Sequence, residues 1–418
     1  METSGIYHKK NGIGAAFDIG TTTVAGACVD LSTGRVLGQA SVENPQARWG
    51  RDVVSRLEAI QREPGLLKEM SASLADACNE ITRGLAGGKP VTEITAAGNP
   101  LMEHILLGIS PEPLSRVPYR PAFKKAQRLP AGETGLLADA GAGIYAFPLI
   151  GGFVGGDAVA VALSLGLRNE KEPALAIDIG TNSEIMLSSG SELYATSAAA
   201  GPAFEGGEVS SGMVAGPGAI EGVAVEKDSV RLDVIGNVAP KGICGSGLIE
   251  AVSGLLKAGV IEPSGRIRGR DEVQDNLSGR ITEGPDGNSF LLYRGARGEV
   301  VLTQQDIRAL QTAKAATRAG VEMLLKKAGL KAGDVRKVYV AGAFGSHLKP
   351  ASLAAIGLLD RAWLNSVQSV GDAALNGALL ALSDEKKAEA EALAESFKYV
   401  PLSGSAHFEG EFIRRMNF

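Results

Sequence analysis

A short phrase occurs twice in this chain, as FDIGTTTVAG at Phe17–Gly26 and as IDIGTNSEIM at Ile177–Met186. Each copy is an apolar run that closes on Asp-Ile-Gly-Thr and continues in strand-forming residues. The pattern predicts a β-hairpin whose first strand carries an aspartate to its tip, with a glycine that admits a positive-φ turn. Hydroxyls and turn amides then face whatever sits at that tip. A single copy reads equally well as a plain hairpin turn. Two copies about one domain length apart predict a duplicated fold that clamps a nucleotide between its halves.

Bulk properties agree with that organisation. A chain of 418 residues is too long for one ordinary core, so two domains are expected. Hydrophobic residues at 44% and charged residues at 21% describe a globular protein. A net charge of −5 without a basic stripe excludes nucleic acid as a main partner. No apolar run approaches the ~18 residues of a membrane span, and the N-terminal METSGIYHKKNG has no apolar stretch of its own. A cytoplasmic protein with no membrane partner is therefore expected. Cys28, Cys78 and Cys244 lie far apart and form no CxxC, which suits a reducing compartment and offers no cluster site. Cys78 falls on the helical stripe Leu67, Met70, Leu74, Cys78, Ile81, Leu85 and is expected in the core. The four histidines are equally scattered, against a zinc site.

Along the chain, strands are expected over 14–40, helices over 52–62 and 66–85, a strand at VTEITAAG and a helix from Leu101. The Pro-rich stretch 110–147 reads as irregular, and GGFVGGDAVAVALSLGL as a Gly-rich turn entering an Ala-rich helix. The second half predicts strand 174–179, strand SELYATSAA, β-like segments near 222–236 and helix 246–258. An exposed hairpin over 261–300, helix 304–327, strand 336–341, helix 351–356 and one long helix over 373–395 complete it. Meanders followed by helices in both halves imply α/β layers with mixed sheets. Domains are expected at 12–168 and 169–418, the C-terminal helix packing back toward the first and residues 1–11 disordered.

Two DIGT loops, a late VAGAFG turn and GDAALNGALLAL resemble the superfamily of acetate and sugar kinases, heat-shock chaperones and actin (ASKHA), in which two ribonuclease-H-like domains close on ATP. The resemblance narrows. GNPLMEHILLGISPEPLSRVPYRPAF, GGFVGGDAVA, GPAFEGGEVSSGM, GICGSGLIEAV, LTQQDIRALQTAKAA and VAGAFGSHL…IGLLD together look like the ATP-binding portion of the reductive activators of corrinoid proteins. The blocks run in order from about residue 14 to 400.

The resemblance implies a residue-by-residue assignment. Asp18 and Asp178 would approach a magnesium–phosphate group, acting through water as magnesium prefers. Gly20, Thr21, Thr22, Gly180, Thr181 and Asn182 would line the phosphates with hydroxyls and turn amides. Gly206 and Gly207 of the GPAFEGG block belong to the same nucleotide site. Asp157 would orient the attacking water or accept its proton, although Asp after Gly-Gly is also an excellent helix cap. Gly245-Ser246-Gly247 opens a helix and would present amides to an anion, or Ser246 would merely cap it. Glu250, one turn in, would accept from ribose hydroxyls. Gly342 and Gly345 would let adenine lie against backbone. Lys314 falls on the apolar stripe of its helix and needs a partner; the nucleotide is one, and a snorkelling surface lysine is the other reading. Arginines at 266, 268, 270, 280, 294 and 297 would dock an acidic partner or simply coat an exposed hairpin.

Such activators use ATP to drive an electron uphill, returning a Co(II) corrinoid protein of a methyltransferase system to its Co(I) state. The expected cofactors are ATP or ADP and magnesium. The family usually carries an N-terminal ferredoxin domain whose [2Fe-2S] cluster needs four closely spaced cysteines, and this sequence contains no such set, so no iron–sulfur cluster is expected in it. Either the chain is the ATPase half of a longer protein, or electrons come from a separate ferredoxin-type carrier. A homodimer follows from the resemblance alone. Two rivals remain: a small-molecule kinase of the same fold, with Asp157 deprotonating a substrate hydroxyl, and a nucleotide-switched module that binds a corrinoid protein without turnover.

Overall fold

The computed structural model describes residues 11–226, 229–274, 276–296, 298–342 and 348–418. In chain order the first half runs β1 (Ile13–Ile19), β2 (Thr23–Asp30), β3 (Arg35–Glu43), α1 (Val53–Arg62), α2 (Leu66–Ala86), β4 (Val91–Gly98), α3 (Pro100–Leu106), β5 (Gln127–Pro130), β6 (Gly143–Ala146) and α4 (Gly156–Leu165). There follow β7 (Ala174–Asp178), β8 (Asn182–Ser188), β9 (Leu193–Ala199), β10 (Ala219–Glu226), β11 (Ser229–Val234), β12 (Gly242–Ile243) and α5 (Gly245–Lys257). The remainder is β13 (Ile281–Thr282), β14 (Ser289–Gly295), β15 (Gly298–Thr303), α6 (Gln304–Ala328), β16 (Lys337–Ala341), α7 (Pro350–Ala355), β17 (Val367–Gly371), α8 (Ala373–Leu380), α9 (Asp384–Ser396), β18 (Phe397–Tyr399) and α10 (Ala406–Arg414).

Two compact units emerge, and they interleave along the chain. The first holds residues up to Lys171 together with Ser188–Thr196 and Asp372–Tyr399; the second holds Glu172–Leu187, Ser197–Gly371 and Val400–Phe418. Helices α8 and α9 thus belong to the first unit although they come late in sequence.

The first unit is built on a six-stranded mixed sheet of order β3-β2-β1-β4-β6-β5. β1 runs antiparallel to β2, giving the hairpin expected from the sequence, and parallel to β4. The α2 stripe closes over this sheet: Met70, Leu74, Cys78 and Ile81 are buried, with Leu67 and Leu85 packed against the same cluster. Burial also lifts the Cys78 thiol to about 12, so it is inert packing. Helix α4 is made of small and aliphatic residues that are buried almost throughout. It meets α8 so closely that a Cβ on Gly377 would lie 1.9 Å from the Ala160 carbonyl oxygen, which is why glycine stands there. The Pro-rich stretch is less irregular than expected, since it supplies β5 and β6 to the sheet edge. The single helix expected over 373–395 is two. α8 ends at Leu380, and Ser383-Asp384-Glu385, a helix-start sequence, opens α9 with two acids in its first turn.

In the second unit β16 pairs in parallel with both β7 and β17, and β8 lies beside β7. Helix α6, capped by a reciprocal Thr303–Asp306 box, crosses this unit, and its Thr317 hydroxyl donates to Ser183 Oγ of β8 at 2.9 Å. Two small three-stranded sheets, β11-β10-β12 and β13-β14-β15, complete it. The arginines of 261–300 are fasteners of that segment. Arg266 pairs with Glu262 and Glu272, Arg280 donates to the Leu291 and Leu292 carbonyls, and Arg294 pairs with Glu299. Arg297 lies outside the described residues.

Candidate functional site

Both DIGT sequences carry an acid at or next to the end of a strand, β1 ending at Ile19 and β7 at Asp178, and both are seated against a parallel neighbour with a glycine at or just past its end. In the first unit Asp18 pairs with Ala97 and Ile19 with Gly98 of β4. A Cβ on Gly98 would lie 2.9 Å from the Ile19 carbonyl oxygen. In the second, Asp178 pairs with Ala341 of β16, the Ile179 amide donates to the Ala341 carbonyl at 3.1 Å, and Gly342 follows. A Cβ on Gly342 would lie 2.6 Å from the Ile179 carbonyl oxygen, and its φ of +118° is open only to glycine. The same backbone device therefore holds both acidic turns. Gly345, assigned with Gly342 to the adenine, lies outside the described residues.

The supports behind the two loops differ. Behind the first, Asn44 Nδ2 donates to the Gly20 carbonyl at 2.8 Å and Arg56 Nη2 donates to the Thr21 carbonyl at 2.6 Å. Asn99 caps α3 by accepting from the Met102 amide and with its other end donates to Thr21 Oγ1 at 3.0 Å. Arg56 is wholly buried and also donates to Gly50 and Gln46, so every arm of the guanidinium is used; burial lowers it to about 10. Thr22 anchors β3 through its carbonyl, which accepts from the Asn44 amide. Behind the second loop stands an acid. Glu205 accepts from both the amide (3.0 Å) and the hydroxyl (2.8 Å) of Thr181 and lies beside Gly180, while Asn182 begins β8.

Asp157 does not cap α4; the cap is Gly155, and Asp157 sits in the first turn, half-buried, with its carboxylate accepting from the Ala158 amide at 2.7 Å. Burial raises it from 3.8 to about 6, against the opposing pull of nearby amides. A carboxyl tuned to this range suits proton transfer near neutral pH.

The Gly-rich segments of the second unit are shaped first by backbone packing. A Cβ on Gly245 would strike the Phe204 carbonyl at 1.6 Å and one on Gly247 the Ile220 carbonyl at 2.1 Å. Gly206 takes a φ of +78° beside Met213, and Gly207 lies under Pro202. Ser246 is not the cap of α5: Cys244 takes that position without a side-chain bond, and the Ser246 hydroxyl lies 3.3 Å from Cys244 Sγ. The helix thus opens with amides and a positive dipole end that no side chain among the described residues closes.

Glu250, one turn in, is buried. Its Oε2 accepts from Lys349 at 2.6 Å, and its Oε1 has no hydrogen-bond partner among the described residues. An orphaned buried acceptor fits a sugar hydroxyl, which donates what that oxygen lacks. Lys314 is also buried, but its ammonium donates to the Asn417 carbonyl and lies 5.4 Å from the Phe418 ring centre. Burial, with Arg415 and Arg318 nearby, lowers it to about 8. In this structure the partner it required is the last turn of chain.

Two family models cover nearly all of this architecture. The C-terminal domain of RACo, the ASKHA domain, matches residues 172–418, and the RACo middle region matches residues 13–170. The chain belongs to the RACo family. Among relatives, it is 34% identical over 388 residues to the corrinoid activation enzyme RamQ of Eubacterium limosum, covering 90% of this chain and 65% of that protein. It is 30% identical over 223 residues to the [Co(II) methylated amine-specific corrinoid protein] reductase of Methanosarcina barkeri, covering 48% and 37%. A solved reductive activator for a corrinoid, iron–sulfur protein superposes with a TM-score of 0.90 at 35% identity, over 98% of this chain and 66% of that one. The chain therefore spans just under two thirds of the length of the first of these relatives and of that solved structure. ASKHA architecture and an α/β fold with mixed sheets are established by these matches together with the topology.

Four residues that support these loops and helix starts are absent from the sequence reading. Glu205 stands next to two glycines that were singled out, but its own role appears only when the fold brings it to Thr181. Arg56 reads as a helix residue and Asn99 as a link between a strand and a helix, and both prove to be braces of the first loop. Asp372 lies in the GDAALNG motif; it caps α8 through the Leu375 amide, and burial pushes its carboxyl up.

Proposed function

We propose that this chain is the ATP-binding and ATP-hydrolysing module of a reductive activator, which returns an inactive Co(II) corrinoid protein of a methyltransferase system to Co(I). The carrying observation is the 34% identity to a corrinoid activation enzyme over 90% of the chain. The paired acidic turns, each locked against a glycine-ended strand, support the same reading.

In this reading Asp18 and Asp178 would hold magnesium, which would supply charge neutralisation at the phosphates. The turn residues Gly20, Thr21, Thr22, Gly180, Thr181 and Asn182 line the phosphates. The opening of α5 at Gly245, Ser246 and Gly247 lies toward the nucleotide, and Glu250 Oε1 accepts from a ribose hydroxyl. Gly206, Gly207 and Gly342 complete the cradle. Asp157 accepts a proton from the water that attacks the terminal phosphate. Lys314 serves the site at one remove, by fixing the chain end against α6.

One electron enters from a ferredoxin-type donor and reduces cobalt from Co(II) to Co(I). ATP acts by changing which cobalt state the module binds well. A coupling of roughly 1–3 kcal/mol between the two sites moves a one-electron potential by roughly 40–130 mV, at about 59 mV per tenfold change in equilibrium. No helix of the described residues is long and apolar enough to cross a membrane, which accords with action in the cytoplasm, and a homodimer is the expected assembly.

The test mixes the purified chain with a Co(II) corrinoid protein and a one-electron donor, and follows Co(I) by its absorbance. ATP should accelerate Co(I) formation and ADP should not. Equal rates with and without ATP, or phosphorylation of a metabolite in place of hydrolysis, would overturn the reading.

A further inference from the structure

Glu103 is the most costly side chain in the first unit. It lies in α3, all seven residues of which are buried, and its own exposure is 0%. Neither carboxyl oxygen has a hydrogen-bond partner among the described residues. Leaving an ionised carboxylate in such a place is prohibitive, so the group resides there as the neutral acid. Its position is specific. A Cβ on Gly156 would lie 2.1 Å from Glu103 Oε1 and 2.4 Å from Phe147 Cβ, so glycine stands there to admit the carboxyl against the opening of α4. The next residue is Asp157.

From these contacts, and resting on the reading of Asp157 as the proton acceptor, we infer that Glu103 is a positioning residue of the hydrolytic site. It keeps its own proton beside Asp157, holds the two acids at one negative charge, and so leaves Asp157 as the carboxylate that takes the proton from water. The proton balance is simple: water gives one proton to Asp157, Glu103 holds its own, and release to solvent restores the pair.

The electrostatics agree. Burial first, and then the charge of Asp157, push Glu103 well above the ordinary carboxylate range; the Gly98 and Gly156 amides lie near enough to pull the other way without completing a hydrogen bond. The other titratable group acting within this layer is Tyr145 of β6, itself raised by burial and by the surrounding charges of Glu391 and Glu103, with Arg128 opposing. Lys387 packs over the Tyr145 ring at 5.7 Å and is tied to Glu93 and Asp384. His104, the neighbour of Glu103 on α3, is turned to the Pro100 carbonyl and the Ala122 amide.

The experiment uses the full chain and two readouts. Infrared spectroscopy at neutral pH should show a protonated-carboxyl C=O stretch that Glu103→Gln removes. The pH profile of ATP hydrolysis should show an alkaline limb, where Glu103 ionises and doubles the charge beside the phosphates, and Glu103→Gln should lose that limb. Glu103→Leu, of similar volume, should lose the band as well and guards against a folding defect in the first variant. A band that survives both substitutions, or superimposable pH profiles for wild type and Glu103→Gln, would overturn the inference. Full hydrolysis by Asp157→Asn with the band intact would instead overturn the reading of Asp157 on which it rests.

Discussion

The two acidic turns share a backbone and differ in what stands behind them. Ile19 and Ile179 both rest their carbonyls on a glycine at the end of a parallel strand. Behind the first turn are donors: Asn44, Arg56 and Asn99 satisfy two carbonyls and one hydroxyl oxygen. Behind the second is an acceptor: Glu205 takes the amide and hydroxyl protons of Thr181. In the first turn the Thr21 hydroxyl oxygen accepts from Asn99, so its proton points elsewhere. In the second, the Thr181 hydroxyl proton is already directed at protein. The two turns share the means of seating an aspartate and differ in the hydrogen-bond polarity of their supports. The first turn is thus held at its base by donors, and the second by the acid Glu205.

That contrast can be broken most severely at Arg56. Its guanidinium fills three acceptors in a buried setting, and Arg56→Met strands the Thr21 and Gly50 carbonyls and Gln46. Removing one side of such a network is expected to cost about 3–5 kcal/mol, read as a lowered denaturation midpoint, with no counterpart in the second unit. The shared glycines come next. Gly342→Ala combines a 2.6 Å clash with a φ of +118° and should cost about 3 kcal/mol, whereas Gly98→Ala meets only a 2.9 Å contact and should cost about 1–2 kcal/mol. Equal losses would mean that the positive φ and closer contact at Gly342 add nothing to the cost.

A pH series sharpens the role of Asp157. Its folded value of about 6 exceeds the ordinary 3.8, so the unfolded chain ionises first. The contribution is fully favourable below about 4 and is lost as pH rises through about 6. Relative to Asp157→Asn, the wild type should therefore lose up to about 3 kcal/mol across that window, measured by chemical denaturation at several pH values. Parallel curves would show that the carboxyl is not held in its buried, half-neutral state. The smallest effect is expected at Glu205→Gln, which keeps the shape but weakens two charge-assisted bonds to Thr181, for about 1 kcal/mol. Its informative readout is ATP affinity, which should rise as negative charge leaves the second loop and fall if Glu205 helps to hold magnesium.

Local pattern carried much of this. The DIGT hairpins, the α2 stripe with Cys78, the long helix α6 and the small-residue helix after Gly156 all follow from period and turn chemistry, and all appear in the structure. What failed to show was tertiary. Glu103 reads as one polar position in a short helix, and only the approach of Gly156 makes it a buried acid. The partner of Lys314 lies 103 residues away in the final residues, beyond any helical stripe. Glu205 needs the fold to reach Thr181, 24 positions back. The break between α8 and α9 was legible in Ser383-Asp384-Glu385, but apolar periodicity continues across it and masks the stop.

The account stands or falls on both turns serving one magnesium-bound triphosphate, and calorimetric titration of Mg-ATP into wild type, Asp18→Asn and Asp178→Asn tests it most directly. Each substitution alone should weaken binding at least tenfold, about 1.4 kcal/mol, while ADP without magnesium is affected far less. Wild-type affinity in either variant would contradict it.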